Sequence, residues 1–308
     1  VVWPDGSTHW IASHGEFTFD AYGRPSRMHG VVREITALKR AEILLSDEKK
    51  VLEMTAEGAP LNTILETITR NVESGSNDTR CSILLLDADG VHLQHGAAPS
   101  LPESYNRAIH GMAIGPKAGS CGTAVYRNQP VIVTDIATDP LWDDYRALAL
   151  PHGLRACWSM PIRSGGGQVL GSFAMYYPAP RSPGPADYEL IARATHLSAI
   201  AIERRHAERA LQESEERLRL ALEAAHMGTF DWDIPNNRIT WSHWHEELWG
   251  YMPGEFGGTY EAFSERVHPD DVPTIDTKIA HCIAERKPYQ GEFRVVWPDG
   301  SVHWISGR

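Results

Sequence analysis

Residues 1–14, VVWPDGSTHWIASH, return at residues 295–308 as VVWPDGSVHWISGR, with ten of fourteen positions identical. A match of this quality does not arise by chance. The chain therefore starts and stops at equivalent places in two copies of one module. Each copy reads as a β-hairpin: β-prone Val-Val-Trp, then Pro-Asp-Gly-Ser, then His-Trp-Ile. Proline presets φ for a turn, and glycine accepts the positive φ that closes it. Beyond the first copy, Glu16–Phe19 and Met28–Ile35 are further β-prone runs around Tyr-Gly-Arg-Pro. The second copy supplies what precedes the hairpin. Thr229–Ile234 and Arg238–Trp241 are short strand candidates, Glu246–Trp249, Tyr260–Val267 and Asp271–Glu285 have helical spacing, and Tyr289–Val296 leads into the repeat. Pro269 and Pro273 mark a helix start.

The same equivalence predicts that the second copy stops at Arg308 inside its fourth strand, and that residues 15–36 correspond to the piece it lacks. An open sheet edge seeks a strand. The two partial copies are thus expected to be the least stable parts, able to complement one another between chains.

Between the copies lie two charged helical stretches and a middle domain. Ala37–Thr55 carries Leu38, Ala41, Leu45 and Leu52 near heptad spacing. The second stretch is longer. Leu197, Ile200, Arg204, Ala207, Leu211, Ser214, Leu218, Ala221 and Ala225 alternate by three and four between densely charged flanks. That is a coiled-coil seam of about four heptads. It predicts a homodimer through the helical linkers, with Ile200, Ala207, Leu211 and Leu218 in the interface. In the middle, Leu61–Val72 is an amphipathic helix and Cys81–Leu86 with Val91–Gln94 a hairpin. Gly122–Arg127, Val131–Thr134, Trp158–Arg163 and Leu170–Tyr177 read as strands, and Tyr188–Arg205 as a closing helix. The fold class is α+β: antiparallel sheets flanked by helices and joined by coiled-coil-like linkers.

Composition narrows the function. With 40 acidic against 29 basic residues, the net charge is −11, which gives no broad attraction for phosphate backbones and argues against a nucleic-acid partner. No run of apolar residues is long enough to span a membrane, and no signal peptide opens the chain. The four cysteines, Cys81, Cys121, Cys157 and Cys282, form no C-x-x-C pair. Reduced thiols in a cytoplasmic setting are the expectation.

Several stretches carry a family resemblance. Leu220–Asp233 (LALEAAHMGTFDWD), Leu248–Tyr251 (LWGY), Val267–Asp271 (VHPDD), Tyr289–Arg294 (YQGEFR) and the Pro-Asp-Gly-Ser hairpin ending His303-Trp304 resemble PAS domains. Residues 34–36, Glu-Ile-Thr, resemble the Asp-Ile-Thr that closes many of them. The middle domain resembles GAF domains through Gly119–Ala124 (GSCGTA), Val133–Ile136 (VTDI), Leu154–Ile162 (LRACWSMPI) and Gly171–Ala174 (GSFA). The resemblance implies a segment of a bacterial multidomain sensor. Its parts are 1–37, the C-terminal part of a PAS domain; 38–57, a helical linker; 58–205, a GAF domain; 206–222, a coiled-coil-like linker; and 223–308, a PAS domain lacking its last strand. Such proteins usually end in a histidine kinase and sometimes in a diguanylate cyclase. An output kinase domain elsewhere in the parent chain is thus the implied partner. A pure dimerisation scaffold is a further alternative.

The chain's own chemistry points to no catalytic residue. His206 sits in a helix without the proline that follows a kinase phospho-acceptor, and no glycine-rich ATP lid is present. Cys121 lies in a glycine-rich turn and is similar to the cysteine of GAF-type methionine sulfoxide reductases. Those enzymes need a further cysteine in a Cys-Asp-Ser stretch, where this chain has Ala156-Cys157-Trp158-Ser159 in a strand. A buried structural thiol is the first reading of Cys121, and a thiol redox enzyme the alternative. His243 and His245 lack a third ligand at suitable spacing, so no metal is expected. His268 and His281 are weak haem candidates, and no cofactor is clearly implied. Asp270 or Asp271 is expected to cap a helix, and the tryptophans to fill a small core. A small-molecule pocket in the middle domain, beneath Gly111–Gly122 and Asp135–Gly153, would gather Cys121, Asp135, Trp142, Tyr145 and Trp158.

Overall fold

The computed structural model describes residues 1–4, 8–75 and 78–307, so the Asp5–Ser7 turn of the first repeat copy lies outside the described residues. The chain divides into two compact units, Val1–Glu208 and Arg209–Arg308.

The first unit opens with an antiparallel hairpin of β1 (Ile11–Phe19) and β2 (Pro25–Glu34). Nearly all of its side chains are exposed, including Phe17, Met28, Val31 and Val32. Helix α1 (Thr36–Ala56) leads to α2 (Leu61–Ser74). There follow β3 (Arg80–Leu86), β4 (His92–Ala97), α3 (Glu103–Ile109), β5 (Met112–Ala113), α4 (Gly119–Arg127), β6 (Val131–Val133), α5 (Arg146–Ala149), β7 (Ala156–Arg163) and β8 (Val169–Tyr177). The strands form one antiparallel sheet in the order β5-β4-β3-β8-β7-β6. The long helix α6, Pro185–Ala224, follows β8 and runs past Glu208 into the residues of the second unit.

Both faces of this sheet are covered. Successive side chains point to opposite sides, so β8 sends Phe173, Met175 and Tyr177 to one face and Ala174 and Tyr176 to the other. The first face packs on Ile64, Leu65 and Ile68 of α2 and Ile191, Ala194 and Leu197 of α6. The second packs on α4 and on the loops around Trp142 and Leu154. Strands buried on both sides lose the alternation of a half-exposed strand, which is why β8 is buried from Leu170 to Tyr177.

Gly119–Arg127 is helical, whereas Gly122–Arg127 within it is expected as a strand and Cys121 in a turn. Every residue from Gly119 to Val125 is buried, and only Tyr126 and Arg127 at its end are exposed, so burial does not alternate along the segment as it does on a surface helix. Asn128 ends it in the left-handed conformation, at φ 49°.

The second unit contains β9 (Phe230–Asp233), β10 (Arg238–Trp241), α7 (His243–Leu248), α8 (Tyr260–Arg266), α9 (Val272–Glu285), β11 (Gly291–Val296) and β12 (Val302–Gly307). β9 pairs with β10 and β11 with β12, as two separate antiparallel hairpins. Trp249, Val267, Ile275, Phe293 and Val295 form the core. Asp271 stands at the N-cap of α9 but makes no capping bond. Its carboxylate instead accepts three hydrogen bonds from Arg294: from the backbone N–H at 2.9 Å and from the guanidinium at 3.0 and 2.6 Å. The guanidinium wins because it offers two donors in a planar fork. That pairing ties α9 to β11 and holds the Asp271 carboxyl down at about 2.

Candidate functional site

The second unit contains a partly open cavity of about 620 Å³. Its wall is largely aromatic and aliphatic, from β9, β10, α7, α8, α9 and the facing strands β11 and β12. This size and lining suit a small organic ligand. Close packing of helix α7 places His245 in the wall. Gly228 lies so near that a side chain there would meet His245 Cα at 2.5 Å. Trp249 stacks beside the imidazole at 5.9 Å and Trp241 lies tilted against it at 4.5 Å between centroids. Burial drives the His245 pKa down to about 4, against a hydrogen bond to the Gly228 backbone. The ring is therefore neutral at physiological pH.

Three ring nitrogens of wall residues are buried without a partner: His245 Nδ1, Trp232 Nε1 and Trp249 Nε1. Such groups are rare in native interiors because each costs about 1–3 kcal/mol. These atoms have no accessible surface and so are not offered to the cavity, whose wall is mainly apolar and suits a small neutral ligand by shape and burial. His243 takes no part, since it is exposed and lies 3.0 Å from Glu247. His281 is likewise on the surface, 3.5 Å from Glu285. Among the described residues, no group of three or more His, Cys, Asp or Glu side chains could hold a metal ion.

The sequence-predicted pocket residues of the middle domain fall into three places. Cys121, Trp142 and Tyr145 share the loop-covered face: Trp142 Nε1 donates to Ser120 Oγ at 3.0 Å, and both aromatic rings lie over Gly119. Asp135 sits on the covering loop, its carboxylate accepting from the Ala137 N–H at 3.0 Å and from the Arg155 fork at 3.1 Å. Those bonds lower its pKa and staple the loop. Trp158 is on the opposite face. It packs against Tyr177, and its Nε1 donates to the Arg181 carbonyl at 3.0 Å.

Around Cys121 is a buried polar knot. Its Sγ lies 3.1 Å from Ser159 Oγ and 3.6 Å from the Tyr176 hydroxyl. Tyr176 also bonds Ser82 at 3.3 Å, and Ser120 donates to the Cys157 carbonyl at 3.2 Å. The dimer-helix candidates all lie on α6. Ile200 is half-buried and Ala207 exposed, while Leu211 and Leu218 are 60% and 61% exposed.

Sequence reasoning missed the cavity of the second unit, whose lining looks like core. The available signal was the density of aromatic and histidine residues from His226 to Phe263. It also missed that Cys157, though on a strand, points at the face that holds Cys121.

Comparison with known proteins agrees with this architecture. A model of the GAF domain matches residues 60–202, and a model of the PAS fold matches residues 238–308. The chain contains a GAF domain followed by a PAS fold. It is 39% identical over 219 residues to the "Methyl sulfide methyltransferase-associated sensor" of Methanosarcina acetivorans, covering 71% of this chain and 22% of that protein. It is 29% identical over 101 residues to the "Probable diguanylate cyclase DgcE" of Escherichia coli (strain K12), covering 33% of this chain and 9% of that protein. The chain thus spans less than a quarter of the curated relatives it matches. Among solved structures, free methionine-R-sulfoxide reductase from Neisseria meningitidis aligns at 18% identity with a TM-score of 0.42, covering 56% of this chain and 90% of that one. Among the described residues, no helix is long and apolar enough to cross a membrane.

Proposed function

We propose that this chain is a sensory and signal-relay segment, the input region of a cytoplasmic two-component histidine kinase that works as a homodimer. The observation that carries the reading is the cavity of the PAS fold, with its largely apolar wall. A small neutral molecule is the matching stimulus. The repeat supports reading residues 1–37 as the C-terminal part of a further PAS domain, with linkers at 38–57 and 206–222. Ligand state would bias the register of paired helices, a two-state element that an output domain can follow. The partial match to a cyclase favours a second reading, in which the same segment feeds a diguanylate cyclase.

The ligand is tested directly. A native mass spectrum of the purified chain is expected to show a bound small molecule. Ile279→Trp, which drives an indole into the cavity from α9, should abolish that species while leaving the circular dichroism unchanged. A ligand-free spectrum for the native chain, or equal loading of both proteins, would count against the reading.

Pairing is tested on α6. Leu211 and Leu218 are one heptad apart and solvent-exposed on a helix of 40 residues. Burying them against a second helix stabilises by about 1.5–3 kcal/mol for each leucine. Leu218→Lys places a charge in that seam. Light scattering is expected to shift from dimer toward monomer. An unchanged dimer mass would sink the assignment of the interface.

A further inference from the structure

We propose that the end of α6 at His226 is a two-state joint, which a ligand in the PAS cavity closes. Occupancy then sets where this helix stops. The coupling requires that the cavity holds a ligand, as proposed for this fold, and names the element that responds to it. Among the described residues, four other than glycine have positive φ: Asn128, His226, Asn237 and Arg286. Asparagine enters the left-handed region readily, whereas histidine and arginine do so at a cost. These two both stand at φ 54°, and each stops a helix beside the cavity. His226 and Met227 line it after α6, and Ile283 and Lys287 line it around the stop of α9. All four lining residues are exposed, so they form the rim of the opening. Backbone strain gathers where a structure clamps a ligand.

His226 joins a helix to a pinned segment, all within the second unit. On the helix side, the Met227 N–H donates to the Leu222 carbonyl at 2.9 Å and the His226 N–H to the Glu223 carbonyl at 3.0 Å. Such paired bonds close a helix when the residue beyond its last turn goes left-handed. Glycine is the usual residue there, because a Cβ disfavours the conformation by about fivefold or more. On the other side the chain is held in place. Gly228 is pressed on α7, where a Cβ would meet His245 Cα at 2.5 Å. The Thr229 N–H donates to Ser242 Oγ at 3.0 Å, and its carbonyl accepts from the Ser242 N–H at 2.9 Å. The His226 ring itself lies tilted against Trp244 of α7, at 5.4 Å between centroids.

The two states follow from this geometry. With the joint closed, as in the structure, His226 and Met227 stand in the cavity rim and α6 ends at Ala224. With the joint open, His226 leaves the left-handed region, the bonds to Leu222 and Glu223 break, and the rim loses both residues. A ligand that touches them binds the closed state better and shifts the balance by that difference. Its apparent affinity in turn scales with the fraction of chains whose joint is already closed. Strain at His226 keeps that fraction below one, which leaves room for the ligand to act. The signal then enters α6 at the turn that carries the stop.

The test uses the full chain and N-phenyl-1-naphthylamine, a neutral aromatic probe that brightens in apolar surroundings. Glycine and alanine at position 226 both lack the ring and differ in the cost of the left-handed state. His226→Gly is expected to bind the probe about fivefold or more tightly than His226→Ala. By hydrogen exchange, the probe should slow the His226 and Met227 amides of the native chain. It should leave them unchanged in Ile279→Trp, whose cavity is filled. In His226→Gly the Met227 amide should exchange slowly even without probe. Equal affinity of the glycine and alanine variants would overturn the joint and leave the cavity reading standing. So would exchange of both amides that stays the same in the native chain while the probe is bound. A native chain that binds no probe would remove the joint and the cavity reading together.

Discussion

Alanine in place of Trp249 is expected to cost the C-terminal unit about 3–5 kcal/mol, the range for truncating a buried aromatic to alanine. Trp249 is 1% exposed and sits at the centre of the aromatic cluster, 4.8 Å from Trp241, 5.1 Å from Phe263 and 5.8 Å from Phe293 between ring centroids. One effect opposes the loss. The indole N–H is buried without a partner, so removing it relieves about 1–3 kcal/mol of desolvation. Packing outweighs that relief, because truncation also enlarges a cavity that already exists. Domains of this size hold only about 5–15 kcal/mol in reserve, so the variant leaves the second unit near its unfolding threshold. Urea denaturation should show a transition shifted by about 1 M or more, given slopes of about 1–3 kcal/mol/M, with the GAF transition in place. Trp249→Phe keeps a ring and drops the N–H, so its loss should be much smaller. Equal stability of Trp249→Ala and the parent would show that the cluster does not hold this unit together.

The order of elements was legible because it is written in turns and periodicity. Pro-Asn-Asn between β9 and β10, and the charged 3–4 pattern of α6, are local signals that the fold obeys. Helix α4 was not legible, since it is short, starts in a glycine-rich stretch and is buried without a break from Gly119 to Val125. The same limit hid the functional features. Trp232 and Trp249 look alike as core residues in a sequence, and only the enclosing surfaces make one wall of them. Asp271 carries the sequence signature of a helix cap, but Arg294, over twenty positions away, competes for its carboxylate and prevails. Local chemistry names the elements, whereas sites are made by contacts distant in sequence.

Gly171→Ala is expected to be the most disruptive small change in the GAF domain. Gly171 opens the Gly-Ser-Phe-Ala stretch of β8, between Leu85 on β3 and Ile162 on β7. A Cβ there would run into the Leu84 carbonyl oxygen, with the Leu84 carbonyl carbon and Leu85 Cα at 3.1 Å. All three are backbone atoms, so no side chain can turn away. β3 is squeezed from its other edge as well, where a Cβ on Gly96 would meet the Ile83 carbonyl oxygen at 2.9 Å. The β3–β4 register shifts at Ile83/Leu84, between these two glycines. The strand is thus bent at a point where both neighbours lack side chains, which is a positional use of glycine in a sheet. Alanine at 171 must push β3 away and strain or break ladder bonds worth about 0.5–1.5 kcal/mol each, on top of about 1–3 kcal/mol of overpacking. The stiffer unfolded chain returns only about 0.4–1 kcal/mol. The net loss is about 3 kcal/mol, or roughly 6–12 °C in Tm for a domain of this size. Gly165→Ala is the control, because its Cβ would meet nothing nearer than the Glu203 carboxylate at 4.0 Å. It should stay within about 0.5 kcal/mol of the parent. Thermal melts that place Gly171→Ala beside Gly165→Ala would mean that β3 can move aside freely, and that the close crossing at Gly171 is not what shapes the sheet.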